Sequence, residues 1–361
     1  MKFKIPIVRI AKHLRKYMLF YLFLVIVVAL LFGYKYKVFF KFQKDLVKNM
    51  IITLAVVTLY PSMVQLKFEL FVSSFFKKIK IIFVALVILF VINPLFSIWL
   101  ANFISNREVA VGYVAANVVP ASSASIAYTM IAEGSIELAT LLAMISIVGA
   151  IIAAPLYISL YARELSINIP LPVLAKSIMI ALITPFILGQ LTRYYIIKHR
   201  AKKLYYVNSF ECKKVEGSKD AIKCIEEKIS IKIKPYLSVA TLLSMFALVF
   251  LLIASKAGLL LKNPELAFKI LGLQTVVYAS IILTVFTVTK LFNLAYEDHM
   301  GIMFITLTKN ESVAAAMTTI AIGITAAIPA ALIPSIQPVV AMIYIGLSDK
   351  VRKILGNKVP P

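Results

Sequence analysis

The sequence predicts an all-α integral membrane protein with ten transmembrane helices in two inverted repeats of five. Three observations support this class. The 361-residue chain has a mean hydropathy of +0.93 and only 15% charged residues, whereas soluble domains average about 25%. Apolar runs of roughly 20 residues, the length that crosses a bilayer core, recur along the whole chain. One long polar stretch, 198–234, lies between the sixth and the seventh of these ten runs.

The first five spans follow a basic N-terminal segment, 1–16, which is predicted to be cytoplasmic. We interpret the first apolar run as a retained span, because no small-residue cleavage site of a signal peptide follows it. The five spans form the predicted first repeat, 17–162. They lie near 17–34, 48–65, 80–101, 107–131 and 136–162.

The second repeat begins with the sixth span, within 163–197, and continues through 235–348. Its spans lie near 170–195, 235–258, 266–290, 299–322 and 324–347. The polar stretch 198–234 is predicted to be a cytoplasmic, lysine-rich loop with a short amphipathic helix near 219–230, and 349–361 a cytoplasmic tail. The loop holds both cysteines, Cys212 and Cys224. Their spacing matches no zinc site, and we expect free thiols in a reducing compartment.

The positive charges set the expected orientation. Most of the 39 lysines and arginines fall on the side that the N-terminus occupies, so both termini of this multi-pass protein are predicted to be cytoplasmic, in a plasma membrane. A net charge of +23 would suit a nucleic-acid partner in a soluble protein. Here the lysines lie between apolar runs and are expected to contact anionic lipid headgroups. The lysine- and phenylalanine-rich stretch 35–48 is expected to lie in the membrane interface.

Two successive sets of five spans insert with opposite topology, because five is an odd number, as in many secondary transporters. In each half the fourth span is interrupted by polar residues: NVVPASSASIAY (117–128) in span four and TLTKNES (306–312) in span nine. This matched placement predicts two broken helices that cross near the bilayer centre. Their half-helix N-termini, which carry partial positive charge, would point to a shared site.

In the fourth span, Pro120 is the predicted helix break, because proline has no N–H to donate and clashes with the preceding turn. Ser122, Ser123 and Ser125 follow it, and Asn117 precedes it by about one turn. These side chains are candidate substrate ligands. The alternative is that the serines hydrogen-bond to the backbone of a kinked helix.

In the ninth span, Lys309 lies roughly 15 Å from the start, near the bilayer centre, at about 1.5 Å per residue. A lysine at that depth costs about 2.5–3.5 kcal/mol, which favours a functional role in attracting an anion. The structural alternative is an internal salt bridge of Lys309 with Glu311, Glu133 or Glu137. The predicted site residues of this span are Lys309 and Asn310 as substrate ligands and Thr308 at the helix break.

Several ionisable groups are candidates for ion or proton coupling. Burial makes the neutral form of a lysine more accessible, so Lys309 is one candidate and Glu311 is another. Glu297, Asp298 and His299, at the inner mouth of the ninth span, are further candidates, although an ordinary interfacial cluster explains them better.

An enzyme is not predicted. The three histidines form no cluster, and the chain contains neither a His-Glu-x-x-His motif nor a Walker-type Gly-x-x-x-x-Gly-Lys run. We therefore expect no metal and no cofactor, and the expected partners are the lipid bilayer and a small solute. The alternative from a different class is a non-transporting membrane sensor that retains a transporter scaffold.

Four stretches, in this order and spacing, resemble the bile-acid/arsenite/riboflavin transporter superfamily, most closely its arsenite efflux permease branch. They are LYPSMVQLKFE (59–69), INPLFSIWLANF (92–103), TPFILGQLTRYYIIK (184–198) and TLLSMFALVFLLIASKAGLLLKNP (241–264). Span four resembles the sodium–bile-acid symporter branch, whose Pro-Gly-Gly-x-x-Ser-Asn pattern with a later Gly appears here as Pro120 to Ile126 with Gly134. The resemblance implies two inverted five-span halves, a core and a panel domain, and a substrate site where spans four and nine cross.

The chain departs from both branches at the site that the resemblance implies. Ala121 replaces the cysteine that follows the proline in arsenite permeases, so a thiolate ligand for a metalloid is missing. Ile305, Lys309 and Ile126 stand where the sodium symporters carry glutamate, glutamine and asparagine, so oxygen ligands for sodium are missing too. The sequence thus predicts a sodium-independent secondary transporter of a small organic or inorganic anion. Arsenite or antimonite efflux is the alternative.

Overall fold

A computed structural model describes residues 5–66, 78–201 and 218–356. Within these ranges the chain is helical, without a β-strand, and eight helices are long and apolar enough to cross a membrane. Large apolar side chains face outward along them; Phe23, Ile152 and Leu283 are each more than two-thirds exposed. A surface of this kind is suited to contact with lipid. The predicted class, an all-α membrane protein, is confirmed.

The described helices of the first half are four continuous spans, the two parts of one interrupted span and two short helices. Their bounds are α1 (Ile5–Lys16), α2 (Met18–Lys35), α3 (Lys37–Phe42), α4 (Lys44–Gln65), α5 (Ile79–Ala101), α6 (Arg107–Val118), α7 (Ala124–Ile131) and α8 (Ile136–Glu164).

The second half has the same order of spans, namely three continuous spans, one interrupted span and one continuous span. Its described helices are α9 (Pro172–His199), α10 (Ser218–Ser255), α11 (Ala257–Lys262), α12 (Pro264–Leu291), α13 (Tyr296–Leu307), α14 (Glu311–Ala321), α15 (Ile324–Gly346) and α16 (Ser348–Leu355).

Eight of the predicted spans correspond to the eight long helices, and the other two are divided. The span at 107–131 forms α6 and α7, and the span at 299–322 forms α13 and α14. Proline alone does not divide a helix here, since α4 continues past Pro61 to its end. In α5 a π-helical stretch, Ile88–Ile92, precedes Pro94 and accommodates it within one continuous helix.

The long helices pack as two groups. Helices α2, α4, α9 and α10 pack against one another and form what we call the four-helix layer. Helices α5, α8, α12 and α15 pack around the two interrupted spans, α6–α7 and α13–α14, and form the central group with them. Helix α14 belongs to the central group but also packs against α4 and α9. The second break therefore lies next to the boundary between the two groups.

Ion pairs join segments that the predicted topology places on one side of the membrane. Lys78 Nζ lies 2.6 Å from Asp298 Oδ1, and Arg352 Nη2 lies 2.7 Å from Glu133 Oε2. The hydrogen bond to Glu133 raises the pKa of the Arg352 guanidinium, because it favours the charged form. These contacts agree with the predicted alternation of the spans.

Two segments differ from the sequence predictions because they pack on the bundle. The N-terminal segment, expected only to be basic and cytoplasmic, contains the helix α1, in which Arg15 Nε and Nη2 donate to Ser238 Oγ at 2.9 and 2.6 Å. The amphipathic helix expected near 219–230 is not a separate element. It forms the start of α10, which runs unbroken to Ser255.

The expectation of two free thiols is also wrong, because Cys224 is disulfide-bonded. Cys212 lies outside the described residues, as does the middle of the 198–234 loop. In the stretch 35–48, Phe40 is buried, whereas Phe39 and Phe42 are exposed, which fits the expected interfacial position.

Two glycines at matching positions let the halves approach closely. Gly112 and Gly301 are each the sixth residue of a twelve-residue helix, α6 and α13. A Cβ at Gly112 would overlap the backbone carbonyl oxygen of Ala326 in α15, and one at Gly301 would lie 3.3 Å from the carbonyl oxygen of Ser135, just before α8. Each interrupted span thus packs against the last span of the other half.

We predict that Gly112→Ala lowers the melting temperature in detergent, because the new methyl group must displace the backbone of α15. The matched control is Gly272→Ala in α12, where no atom of the described residues outside the adjacent helix backbone lies within 4 Å of the point that a Cβ would occupy. Replacing glycine by alanine in a helix gains about 0.5–1 kcal/mol when no clash occurs, so the control should be as stable as the wild type or slightly more stable. Equal melting temperatures for both variants would contradict the close approach.

Candidate functional site

The fourth and ninth spans both break at the C-terminal end of a twelve-residue helix. After α6, Val119 adopts an extended conformation with ψ of 161°, and α7 begins at Ala124. After α13, Thr308 is extended with ψ of 121°, and α14 begins at Glu311. Pro120 explains the first break, since it cannot continue the helical hydrogen bonds. The second break contains no proline and consists of polar residues.

The two breaks pair with each other as a short antiparallel bridge between Ala121 and Lys309. Ser122 N donates to the Thr308 carbonyl at 3.1 Å, and Asn310 N donates to the Pro120 carbonyl at 2.9 Å. Backbone groups inside a bilayer must be satisfied within the protein, because lipid offers no hydrogen bonds. The predicted crossing of the interrupted spans is therefore present, and backbone pairing between the two breaks maintains it.

Two buried side chains complete this pairing, one from the last span of each half. Ser146 Oγ of α8 accepts from Ala121 N at 3.1 Å, and Gln337 Oε1 of α15 accepts from Lys309 N at 3.0 Å. Our sequence analysis did not identify either residue. Both are polar residues inside apolar spans that directly follow an interrupted span, and that placement was a signal available in the sequence.

The side chain of Lys309 lies in the interior at this crossing. It is 3% exposed, and its Nζ has no hydrogen-bond partner in the described part of the chain. Glu311 is 7% exposed, and its Oε2 likewise lacks a partner there. The two groups interact electrostatically without a direct ion pair. The alternative of a salt bridge between Lys309 and Glu311 is therefore not observed, and Glu133 pairs with Arg352 instead.

The three serines after Pro120 differ in their roles. Ser125 is fully buried and donates its hydroxyl to the carbonyl of Ser122 at 2.6 Å, as the structural alternative expected. Ser122 is half-buried, and its Oγ accepts from Ala124 N at 3.3 Å. Ser123 is exposed, and its side chain does not cap α7. At the two breaks, the side chains of Ser122, Ser123 and Asn310 are at least partly exposed.

Asn117 belongs to a buried amide network one turn before the first break. Its Nδ2 donates to Gln274 Oε1, and Gln274 Nε2 donates back to Asn117 Oδ1, both at 3.1 Å. Asn93 Nδ2 donates to the Asn117 carbonyl at 3.2 Å. The network joins α5, α6 and α12, so the structure favours a packing role for Asn117. Gln274 and Asn93 were not identified from the sequence, although amides inside apolar spans were the available signal.

Glu297, Asp298 and His299 lie at the opposite end of α13 from the break. His299 is about ten residues from Lys309, or roughly 15 Å along the helix. Its Nδ1 lies 2.7 Å from Thr289 Oγ1, and its Nε2 lies 2.7 Å from the Tyr344 hydroxyl. Asp298 pairs with Lys78 (2.6 Å between Nζ and Oδ1). The structure therefore does not bring this cluster together with the crossing.

Comparison with known families agrees with this arrangement. The model of the sodium bile acid symporter family matches residues 51–263, more than half of the chain. The chain belongs to this family, and it is a membrane transporter of the bile acid symporter type. No curated protein matches the sequence. The matched segment includes the first break but ends before the second, so Lys309, Asn310 and Glu311 lie outside it.

We predict that Ser146→Ala and Gln337→Ala each destabilise the protein by about 1–3 kcal/mol, because each leaves a buried backbone N–H without its acceptor. The matched control is Ser159→Ala on α8, where a half-buried serine donates to the Leu156 carbonyl of its own helical turn at 3.2 Å. Thermal unfolding in detergent measures the three variants side by side. A loss for Ser146→Ala no larger than that for Ser159→Ala would show that the Ser146 bond does not support the crossing.

Proposed function

We propose that the protein is a secondary transporter that binds a small organic or inorganic anion where α6–α7 and α13–α14 cross, and that it works by alternating access. The single observation that supports this most strongly is the Lys309 ammonium, which is buried at the paired breaks without a partner in the described residues. A bound anion would supply the missing charge.

The energetics favour a ligand at this point. A lysine at the bilayer centre costs about 2.5–3.5 kcal/mol. Two of the three glutamates considered as partners, Glu133 and Glu311, do not offset that cost by direct pairing. Helices α7 and α14 also begin at the crossing, and their N-termini carry partial positive charge. The buried lysine, its lack of a direct ion pair with either glutamate and the two helix N-termini all favour a negatively charged solute.

The symmetry of the crossing supports alternating access. Gly112 and Gly301, and likewise Ser146 and Gln337, make equivalent contacts in the two halves, as expected for an inverted repeat. Because α14 also packs against the four-helix layer, relative movement of that layer and the central group would change access to Lys309. The distribution of lysines and arginines supports cytoplasmic termini and a plasma-membrane location.

The two alternatives have less support. Arsenite or antimonite efflux would be served by a soft sulfur ligand, but Ala121 follows Pro120, and Cys224, the cysteine in the described residues, is disulfide-bonded. A sensor would have no need for a buried cation at the meeting point of two broken helices. Measured flux across proteoliposome membranes distinguishes a carrier from a sensor.

We predict that one of the anions tested binds at Lys309. It should raise the melting temperature of the wild-type protein but not that of the Lys309→Met variant. A screen with pyruvate, taurocholate, phosphate and arsenite in detergent provides the measurement. A ligand present at 100 times its dissociation constant stabilises by about 2.7 kcal/mol, which a thermal scan resolves. Methionine keeps the length of the side chain and removes its charge.

The matched control is Lys176→Met, since Lys176 lies within α9 but is exposed, and this variant should keep the full shift. An equal shift in Lys309→Met would place the binding site elsewhere. Stabilisation by arsenite alone would favour the metalloid alternative.

We also predict sodium independence. Ile305, Lys309 and Ile126 offer no side-chain oxygen at the positions where sodium ligands are expected from the resemblance. Uptake into proteoliposomes should therefore have the same initial rate in sodium and in potassium buffers at equal ionic strength. A several-fold stimulation by sodium would overturn this part of the proposal.

A further inference from the structure

The crossing contains a second buried ionisable group, which constrains how an anion can bind there. Glu311 follows Lys309 by two residues, is equally removed from solvent, and has an oxygen, Oε2, without a hydrogen-bond partner in the described ranges. By contrast, Glu133 and Asp298 are held in ion pairs at one end of the bundle. Glu311 is therefore a buried carboxyl whose unpaired oxygen is free to bind a proton.

The charge balance of the site depends on that proton. With Lys309 and Glu311 both ionised, their charges cancel, and a bound monovalent anion would leave one uncompensated negative charge. An uncompensated charge in a protein interior is strongly unfavourable. When Glu311 is protonated, the positive charge of the Lys309 ammonium cancels the negative charge of the anion, and the occupied site is neutral.

Lys309 is the charged group that determines the charge balance around Glu311. The Tyr278 hydroxyl of α12 interacts electrostatically with the carboxyl, and Tyr113 of α6 and Tyr128 of α7 interact in the same way with Tyr278. These hydroxyls carry no charge at neutral pH. Among the described residues of α4, α6, α9 and α15, which pack against α14, no charged group acts on Glu311. Lys309 is the charged group that does so.

We propose that Glu311 is the proton carrier of the transport cycle, so that each monovalent anion crosses the membrane together with one proton. This inference rests on the proposed anion transport. On the side to which the site is open, a proton from water binds Glu311 and the anion binds beside Lys309. After the site opens to the other side, both leave, and the Lys309–Glu311 charges again cancel. One cycle moves one proton and one negative charge in the same direction, so it is electrically neutral.

Proteoliposomes provide the test, with radiolabelled pyruvate, taurocholate or phosphate as the probe, whichever stabilises the wild-type protein. For phosphate, only the monovalent form counts as the co-transported species. An inward proton gradient should drive accumulation by about tenfold per pH unit, the equilibrium ratio for one proton per anion. A potassium diffusion potential set with valinomycin should change neither the rate nor the extent. Accumulation driven by that potential and insensitive to the pH gradient would overturn the proposal.

The variant Glu311→Gln has a neutral side chain of the same shape. We expect it to lose accumulation driven by the pH gradient and to retain exchange of internal for external labelled anion, because exchange requires no net proton movement. The exchange rate should also become independent of pH. The matched control, Glu265→Gln, changes an exposed carboxyl in the first turn of α12 and should accumulate the anion as the wild type does.

The outcomes separate the two proposals. No exchange of any of the three anions by the wild-type protein would reject the proposed function itself. Exchange by the wild type together with gradient-driven accumulation in Glu311→Gln would reject only the role of Glu311. Loss of exchange in Glu311→Gln, with a normal elution profile and melting temperature, would instead make Glu311 a direct ligand of the anion and also reject the carrier role.

Discussion

The structure depends on one constraint: a backbone that leaves the helical conformation inside a bilayer must find hydrogen bonds within the protein. The chain leaves that conformation twice, at Pro120 and at Lys309. Each break supplies partners to the other through Ser122 N and Asn310 N. Neither break could exist alone without unpaired groups in lipid. The crossing is therefore a requirement of the fold as well as the proposed binding site for a solute.

The same contacts recur in the two halves, which explains how the crossing is held rigid. Ser146 and Gln337 accept one backbone N–H from each break, and Gly112 and Gly301 allow each broken span to lie close to the other half. The breaks are thus fixed in backbone geometry, whereas the side chains of Lys309 and Glu311 are left without hydrogen-bond partners at Nζ and Oε2 in the described residues. A rigid frame around unsatisfied buried charge is the arrangement expected of a preformed binding site.

Membership of the sodium bile acid symporter family explains the scaffold, and the family match includes the first break but not the second. The family match ends at residue 263, and the groups with unusual burial, Lys309 and Glu311, follow it. When both are ionised, Lys309 and Glu311 together bring no net charge to the site. They can take the place of a bound cation only if Glu311 is protonated, because the positive charge of Lys309 then remains. Family membership therefore predicts transport in general but leaves the coupling ion to the local electrostatics.

The sequence by itself determined the all-α membrane class, the eight uninterrupted spans and the positions of both breaks, because hydropathy, proline and intramembrane charge act locally along the chain. It also singled out Lys309 by the cost of burying it. Only the tertiary structure decided that Asn117 pairs with Gln274, that His299 lies far from the crossing, and that Ser146 and Gln337 complete the breaks. It likewise decided that α10 begins at Ser218 as one helix and that Cys224 is not a free thiol. These outcomes depend on which residues of distant segments meet in space, and no local pattern in one sequence records that pairing.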